Sequence, residues 1–129
     1  MVATSHDVMP DIELYQPADE ATALDLAARL GNEGWLLSGG QDTYGWLKDR
    51  NKTPSAMIEL TQIDAWKGVK ETSDGIEIGA TTTLTEIAND PLIKSRFGLL
   101  AKAASVVASP QIRNVGTLGG NLNQDARCW

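Results

Sequence analysis

Residues 111–121, QIRNVGTLGGN, constrain this chain more than any other stretch of it. The segment is polar at its start and then sets Gly116, Gly119 and Gly120 among β-branched neighbours. Glycine lets the backbone enter conformations that other residues avoid, and lets a ligand come close to the main chain. Consecutive N–H groups in such a turn can form a concave nest for an anion. A second pair, Gly39-Gly40, stands in LLSGGQD directly after a short apolar run. Either pair alone reads as a plain turn. Together they suit a ligand with two neighbouring anionic groups, such as a dinucleotide pyrophosphate. The chain has no G-x-x-x-x-G-K-[ST] and no G-x-G-x-x-G, so neither a P-loop nor an ordinary Rossmann fingerprint accounts for them.

Composition narrows the partners. The 129 residues are 42% hydrophobic and 22% charged, which fits one globular domain with a modest core. No apolar run approaches the roughly 18–20 residues of a membrane span, and the N-terminal residues lack the basic and apolar regions of a secretory signal. No membrane partner is therefore expected, and with a single cysteine, Cys128, a cytoplasmic location is the default expectation. The net charge of −6 argues against nucleic acid, whose phosphates call for Lys and Arg. It also implies that a pyrophosphate would be held by backbone N–H groups and helix ends, not by a basic cluster. Cys128 is the one cysteine, so no internal disulfide can form. His6, the only histidine, lies in a loose terminal segment and reads as solvated.

The pattern along the chain is mixed α and β. Ile12 and Leu14 suggest a short edge strand. Asp19 caps an expected helix that runs to about Leu30 and stops at Gly31, with Leu24, Ala27, Ala28 and Leu30 on one side. A short buried strand, Trp35-Leu36-Leu37, feeds Gly39-Gly40. Asp42 is placed to cap a short helix carrying Tyr44, Leu47 and Lys48, and residues 56–60 form a second strand. These elements make a small βαβ-like unit. Residues 63–72, a turn at 73–75 and residues 76–78 read as a hairpin. Leu84, Ile87 and Ala88 have helical spacing, and Asp90-Pro91 opens a further helix. Residues 97–107 are helical, with Leu99, Leu100, Ala103, Val106 and Val107 as the expected core side, ending before Ser109-Pro110. Ile112, Val115 and Leu118 then read as a strand and turn.

The segments SGGQD, IGATTTLTEI and SPQIRNVGTLGGNL, in this order, resemble the FAD-binding subunit of the molybdenum hydroxylases, the xanthine dehydrogenase family. The ending RCW looks most like the branch that contains 4-hydroxybenzoyl-CoA reductase and the aldehyde oxidoreductases. The resemblance runs from about Tyr15 to Trp129. It implies an α+β fold of the FAD-binding PCMH type, like vanillyl-alcohol oxidase. Residues 1–62 would form its small N-terminal subdomain, and 63–129 the first, incomplete part of a second. It also implies a truncated chain, since related subunits continue well beyond this length.

Under that resemblance, Ser38, Gly39, Gly40, Gln41 and Asp42, with Thr117, Leu118, Gly119, Gly120 and Asn121, hold the FAD pyrophosphate. Asp42 is better suited to a helix cap, because a carboxylate repels phosphate. Ala80, in Gly79-Ala80-Thr81-Thr82, resembles a family turn that approaches the flavin, and reads equally as a tight turn after a strand. Arg113 suits a phosphate contact or a structural pairing. Trp35, Trp46 and Trp66 read as filler rather than a flavin stack. Cys128 looks like one ligand of a [4Fe–4S] cluster, which needs four thiolates where this chain has one.

The function implied is electron transfer through FAD between [2Fe–2S] clusters of a small subunit and an acceptor such as NAD, with substrate handled by a molybdopterin-binding large subunit. No residue is assigned to catalysis, and the chain alone is expected to be inactive. Two other readings use the same residues: a stand-alone flavin oxidase of the vanillyl-alcohol-oxidase type, and a non-enzymatic module that docks on partner subunits.

Overall fold

The computed structural model describes residues 11–125. Three short strands form a parallel sheet: β1 (Glu13–Tyr15), β2 (Gly34–Leu37) and β3 (Ala56–Glu59), in the order β1-β3-β2. Met57 of β3 stands in register with Leu14 on one side and Trp35 on the other. Ala56, Met57 and Ile58 are all buried, as an apolar run in the middle of a parallel sheet should be. Parallel neighbours need a crossover, and α2 (Thr43–Lys48) supplies it between β2 and β3.

Helix α1 (Glu20–Leu30) starts and stops where the sequence indicates. The Asp19 carboxylate accepts the Thr22 N–H at 2.9 Å, and Gly31 ends the helix at φ +51°. Its buried stripe is Ala23 and Leu26, however, while Leu24 and Ala28 face solvent. The line one turn long that meets the sheet falls on positions 23 and 26, and Leu24 lies about 100° around the helix from Ala23.

The second part pairs β4 (Val69–Glu71) with β5 (Ile76–Ile78) as an antiparallel hairpin, closed by the Thr72 N–H on the Gly75 carbonyl at 3.0 Å. The expected strand from residue 63 is shorter than the sequence suggests, because Asp64–Trp66 forms a 3₁₀ turn. Three helices follow: α3 (Leu84–Asn89), α4 (Pro91–Arg96) and α5 (Gly98–Val106). Thr83 and Glu86 make a reciprocal capping box on α3, and Asp90 with Pro91 opens α4. Leu84, Ile87, Ile93, Ala101 and Ala104 form the core here, with Val69, Ile76 and Ile78 of the hairpin packed against it.

Two expectations for this part are corrected. Helix α5 turns Ala101 and Ala104 inward, so that it lies close on α3, with the expected Leu100 and Val107 packed against the same core; Ala103 is exposed, and so are Leu99 at 85% and Val106 at 63%. Where the sequence suggested a strand and turn, the chain makes two short helices, α6 (Pro110–Arg113) and α7 (Leu118–Leu122). Capping decides this over the β-branched Ile112 and Val115. The Ser109 hydroxyl accepts the Ile112 N–H, Pro110 pre-sets the first turn, and the Thr117 hydroxyl accepts the Gly120 N–H. Extended pairing survives only as a bridge between Thr83 and Thr117. No helix among the described residues is long and apolar enough to cross a membrane.

Candidate functional site

The two glycine segments meet. A Cβ on Gly39 would lie 2.3 Å from the Val115 carbonyl oxygen and 2.9 Å from the Gly116 Cα, so only glycine lets the loop after β2 rest on that backbone. Ser38 Oγ and Thr117 Oγ1, 3.0 Å apart, share a hydrogen bond across the junction. Gly40, at φ +71°, then turns the chain into α2.

A third segment braces the second. The Gly119 N–H donates to the Ala80 carbonyl at 2.8 Å and the Leu118 N–H to the Thr82 carbonyl at 2.9 Å. The Leu84 N–H returns a bond to the Gly116 carbonyl at 2.9 Å. Residues 79–82 are themselves fixed, since the Thr81 N–H and hydroxyl both donate to the Trp66 carbonyl, at 2.9 and 2.8 Å. Gly79-Ala80 is thus a tight turn, and Ala80 with Thr81 also borders the site.

Between these segments lies a cavity of about 670 Å³, within the roughly 300–1,000 Å³ that ligand sites occupy. Ser38, Gly39, Gly40, Gln41 and Asp42 line one wall; Ala80, Thr117, Gly119, Gly120 and Asn121 line another. Leu118 does not border it, because its side chain packs into the core formed by α3 and α5. Cys128 and His6 lie outside the described residues. Trp35, Trp46 and Trp66 border the cavity too, a role the sequence reading did not give them. The available signal was the place of Trp35, four residues before Gly39 on the strand that leads into the loop.

The donors are unevenly spread. The N–H groups of Ser38, Gly39, Gly40 and Gln41 donate no hydrogen bond to the described residues. Those of Gly116, Leu118, Gly119 and Asn121 are spent on carbonyls of Ile112, Thr82, Ala80 and Thr117, and that of Gly120 on the Thr117 hydroxyl. The expectation of two open nests is therefore revised. The first segment offers backbone donors, whereas the second offers the Thr117 hydroxyl and the Asn121 carboxamide. Asp42 sits at the start of α2 but its side chain makes no capping bond. It is the one charged side chain on the cavity wall among the described residues. Arg113 does not reach the cavity. Its guanidinium donates to the Val107 and Ala108 carbonyls at 2.7 and 3.0 Å, a structural pairing. No group of three potential metal-ligating side chains occurs among the described residues.

A wall of amides without a partner, a neighbouring hydroxyl pair and no cation, among the described residues, suit a diphosphate held by the backbone. The family described as FAD binding domain in molybdopterin dehydrogenase matches residues 10–127. The chain belongs to this family. It is 33% identical over 115 residues to the carbon monoxide dehydrogenase medium chain of Hydrogenophaga pseudoflava, covering 89% of this chain and 40% of that one. It is 41% identical over 116 residues to the nicotinate dehydrogenase FAD-subunit of Eubacterium barkeri, covering 89% and 39%. The fold superimposes on a solved carbon monoxide dehydrogenase from Hydrogenophaga pseudoflava with a TM-score of 0.86, at 33% identity over 89% of this chain and 40% of that one. The chain spans about two fifths of the length of these relatives. The cofactor of the family is FAD, and the unpaired N–H groups of residues 38–41 on the cavity wall are donors of the kind a diphosphate needs.

Proposed function

We propose that this chain forms the pyrophosphate-binding part of the FAD subunit of a molybdopterin-dependent oxidoreductase. Ser38, Gly39, Gly40 and Gln41 would hold the diphosphate through their N–H groups. Thr117 and Asn121 would add side-chain donors, with Gly119 and Gly120 giving close approach and Ala80 bracing the wall. The observation that carries this reading is the meeting of the two glycine segments at one cavity through the Ser38–Thr117 bond. FAD bound there would supply the redox chemistry, electron transfer between [2Fe–2S] clusters and an external acceptor such as NAD, while the chain's own residues bind and orient it. The partners proposed are a molybdopterin-binding large subunit and a [2Fe–2S] small subunit, in keeping with relatives named as medium chains of dehydrogenases. A cytoplasmic setting fits such a complex.

The test is retention of FAD. The purified chain is incubated with FAD and desalted, and its visible spectrum recorded. Retained flavin that is lost on Gly39→Val supports the site. Flavin retained equally by wild type and Gly39→Val would place the cofactor elsewhere.

A further inference from the structure

Two tryptophans on the cavity wall are held more tightly than filler requires. Trp35 lies on β2, and its indole N–H donates to the Thr43 hydroxyl of α2 at 3.2 Å. Its ring meets that of Trp46 with centroids 5.6 Å apart and planes at 85°. Trp35, Thr43 and Trp46 all border the same cavity as Gly39 and Gly40. The Lys52 ammonium stands 5.9 and 5.8 Å from the two centroids but does not border the cavity. Both tryptophans thus contribute to the cavity wall, and the Trp35 indole N–H is already satisfied by Thr43. Trp46 is 9% exposed and anchors the pair, while Trp35 is half-buried and borders the cavity.

Distance supports a link to the glycine loop. Trp35 and Gly39 are four positions apart, and at about 3.3 Å per extended residue that spans at most roughly 13 Å. That is within the reach of a sugar or polyol joining a diphosphate to a ring. Resting on the reading of the loop as a diphosphate site, we propose that Trp35, braced by Thr43 and Trp46, is a ring-binding subsite. It takes a flat heteroaromatic ring of the ligand whose anionic part lies on residues 38–41. In FAD that ring is the adenine or the isoalloxazine, and both present the same π-face to an indole.

The experiment measures equilibrium binding of FAD, ADP and FMN to wild type, Trp35→Phe and Trp35→Met. Methionine fills similar space without a ring. Trp35→Phe should stay within about threefold of wild type, and Trp35→Met should bind FAD roughly tenfold more weakly. Loss confined to ADP identifies adenine as the stacked ring, and loss confined to FMN identifies the isoalloxazine. Equal FAD affinity for Trp35→Met and Trp35→Phe would overturn the subsite and leave the diphosphate reading intact. Absence of FAD binding by wild type would overturn both. A measurement on the unaltered fold guards against misfolded variants. With fluorotryptophan incorporated, the fluorine resonance of Trp35 should move on adding FAD, and a Trp35 resonance that stays fixed while FAD binds also overturns the subsite.

Discussion

Ser38 and Thr117 are separated by 79 positions in the chain and by 3.0 Å between their hydroxyl oxygens. Thr117 is 2% exposed, and its Oγ1 also accepts the Gly120 N–H at 3.2 Å. One hydroxyl thus starts α7 and ties it to the loop after β2. That tie joins the two walls of the cavity.

Replacing Thr117 with valine keeps the shape and removes the hydroxyl. The cap and the cross-link are lost together, and Ser38 loses its partner. A cost of about 1–2 kcal/mol is expected in chemical denaturation. Thr117→Ser should recover most of it. A valine variant as stable as wild type would show that the two walls are held by packing alone.

The glycines are not equivalent. A methyl at Gly39 would press on backbone at 2.3 Å, whereas one at Gly120 would meet only the Thr117 hydroxyl at 3.1 Å. Gly39→Ala should cost about 1–3 kcal/mol and reduce retained flavin. Gly120→Ala lies in α7, where alanine is the better helix former, and its stability should stay within about 0.5 kcal/mol of wild type or rise. Thermal melts of the two variants in parallel decide the point, and equal losses would mean that the contacts at Gly39 relax freely.

Where the chemistry was local, the sequence was legible. Asp19, Gly31 and Asp90-Pro91 are short signals that bound their helices without help from the rest of the chain. The glycine segments were legible as a pair, and they do line one cavity. Which helix face is buried was not, because it depends on the neighbour. On α5 Ala101 and Ala104 win the inward side by allowing closer approach than Leu99 or Val106 would, while Ala103 stays exposed. The state of each amide was not legible either. Gly119 looks like a free donor in sequence, and only the fold reveals that its N–H belongs to Ala80. Trp35 acquires its place on the cavity wall from the bond to Thr43, a contact that spacing does not announce.

Ala108 borders the cavity at φ +42°, in the left-handed region that favours glycine. Arg113 holds it there through the Val107 and Ala108 carbonyls. Arg113→Met keeps the apolar stem and removes both bonds, and should destabilise by about 1–3 kcal/mol. Ala108→Gly relieves the strained backbone and should leave stability unchanged or raise it by up to about 1 kcal/mol. Combining them tests the coupling. If Arg113 serves to hold Ala108, the double variant loses less than the sum of the two changes, and simple additivity refutes that role.

Acid should weaken this fold partly through two exposed carboxylates. The Thr22 N–H and hydroxyl on Asp19, and the Lys67 ammonium on Asp64, each hold the carboxyl below its ordinary value. A lowered native pKa means that the unfolded chain binds more protons near the ordinary value of about 3.9. The stability from both groups is therefore complete above about pH 5 and fades as pH falls through their native values. Asparagine at position 19 still accepts the Thr22 N–H but cannot titrate. The Asp19→Asn, Asp64→Asn double variant should lose less of its melting temperature than wild type between about pH 5 and pH 3. Parallel losses across that range would show that the acid limb belongs to other groups.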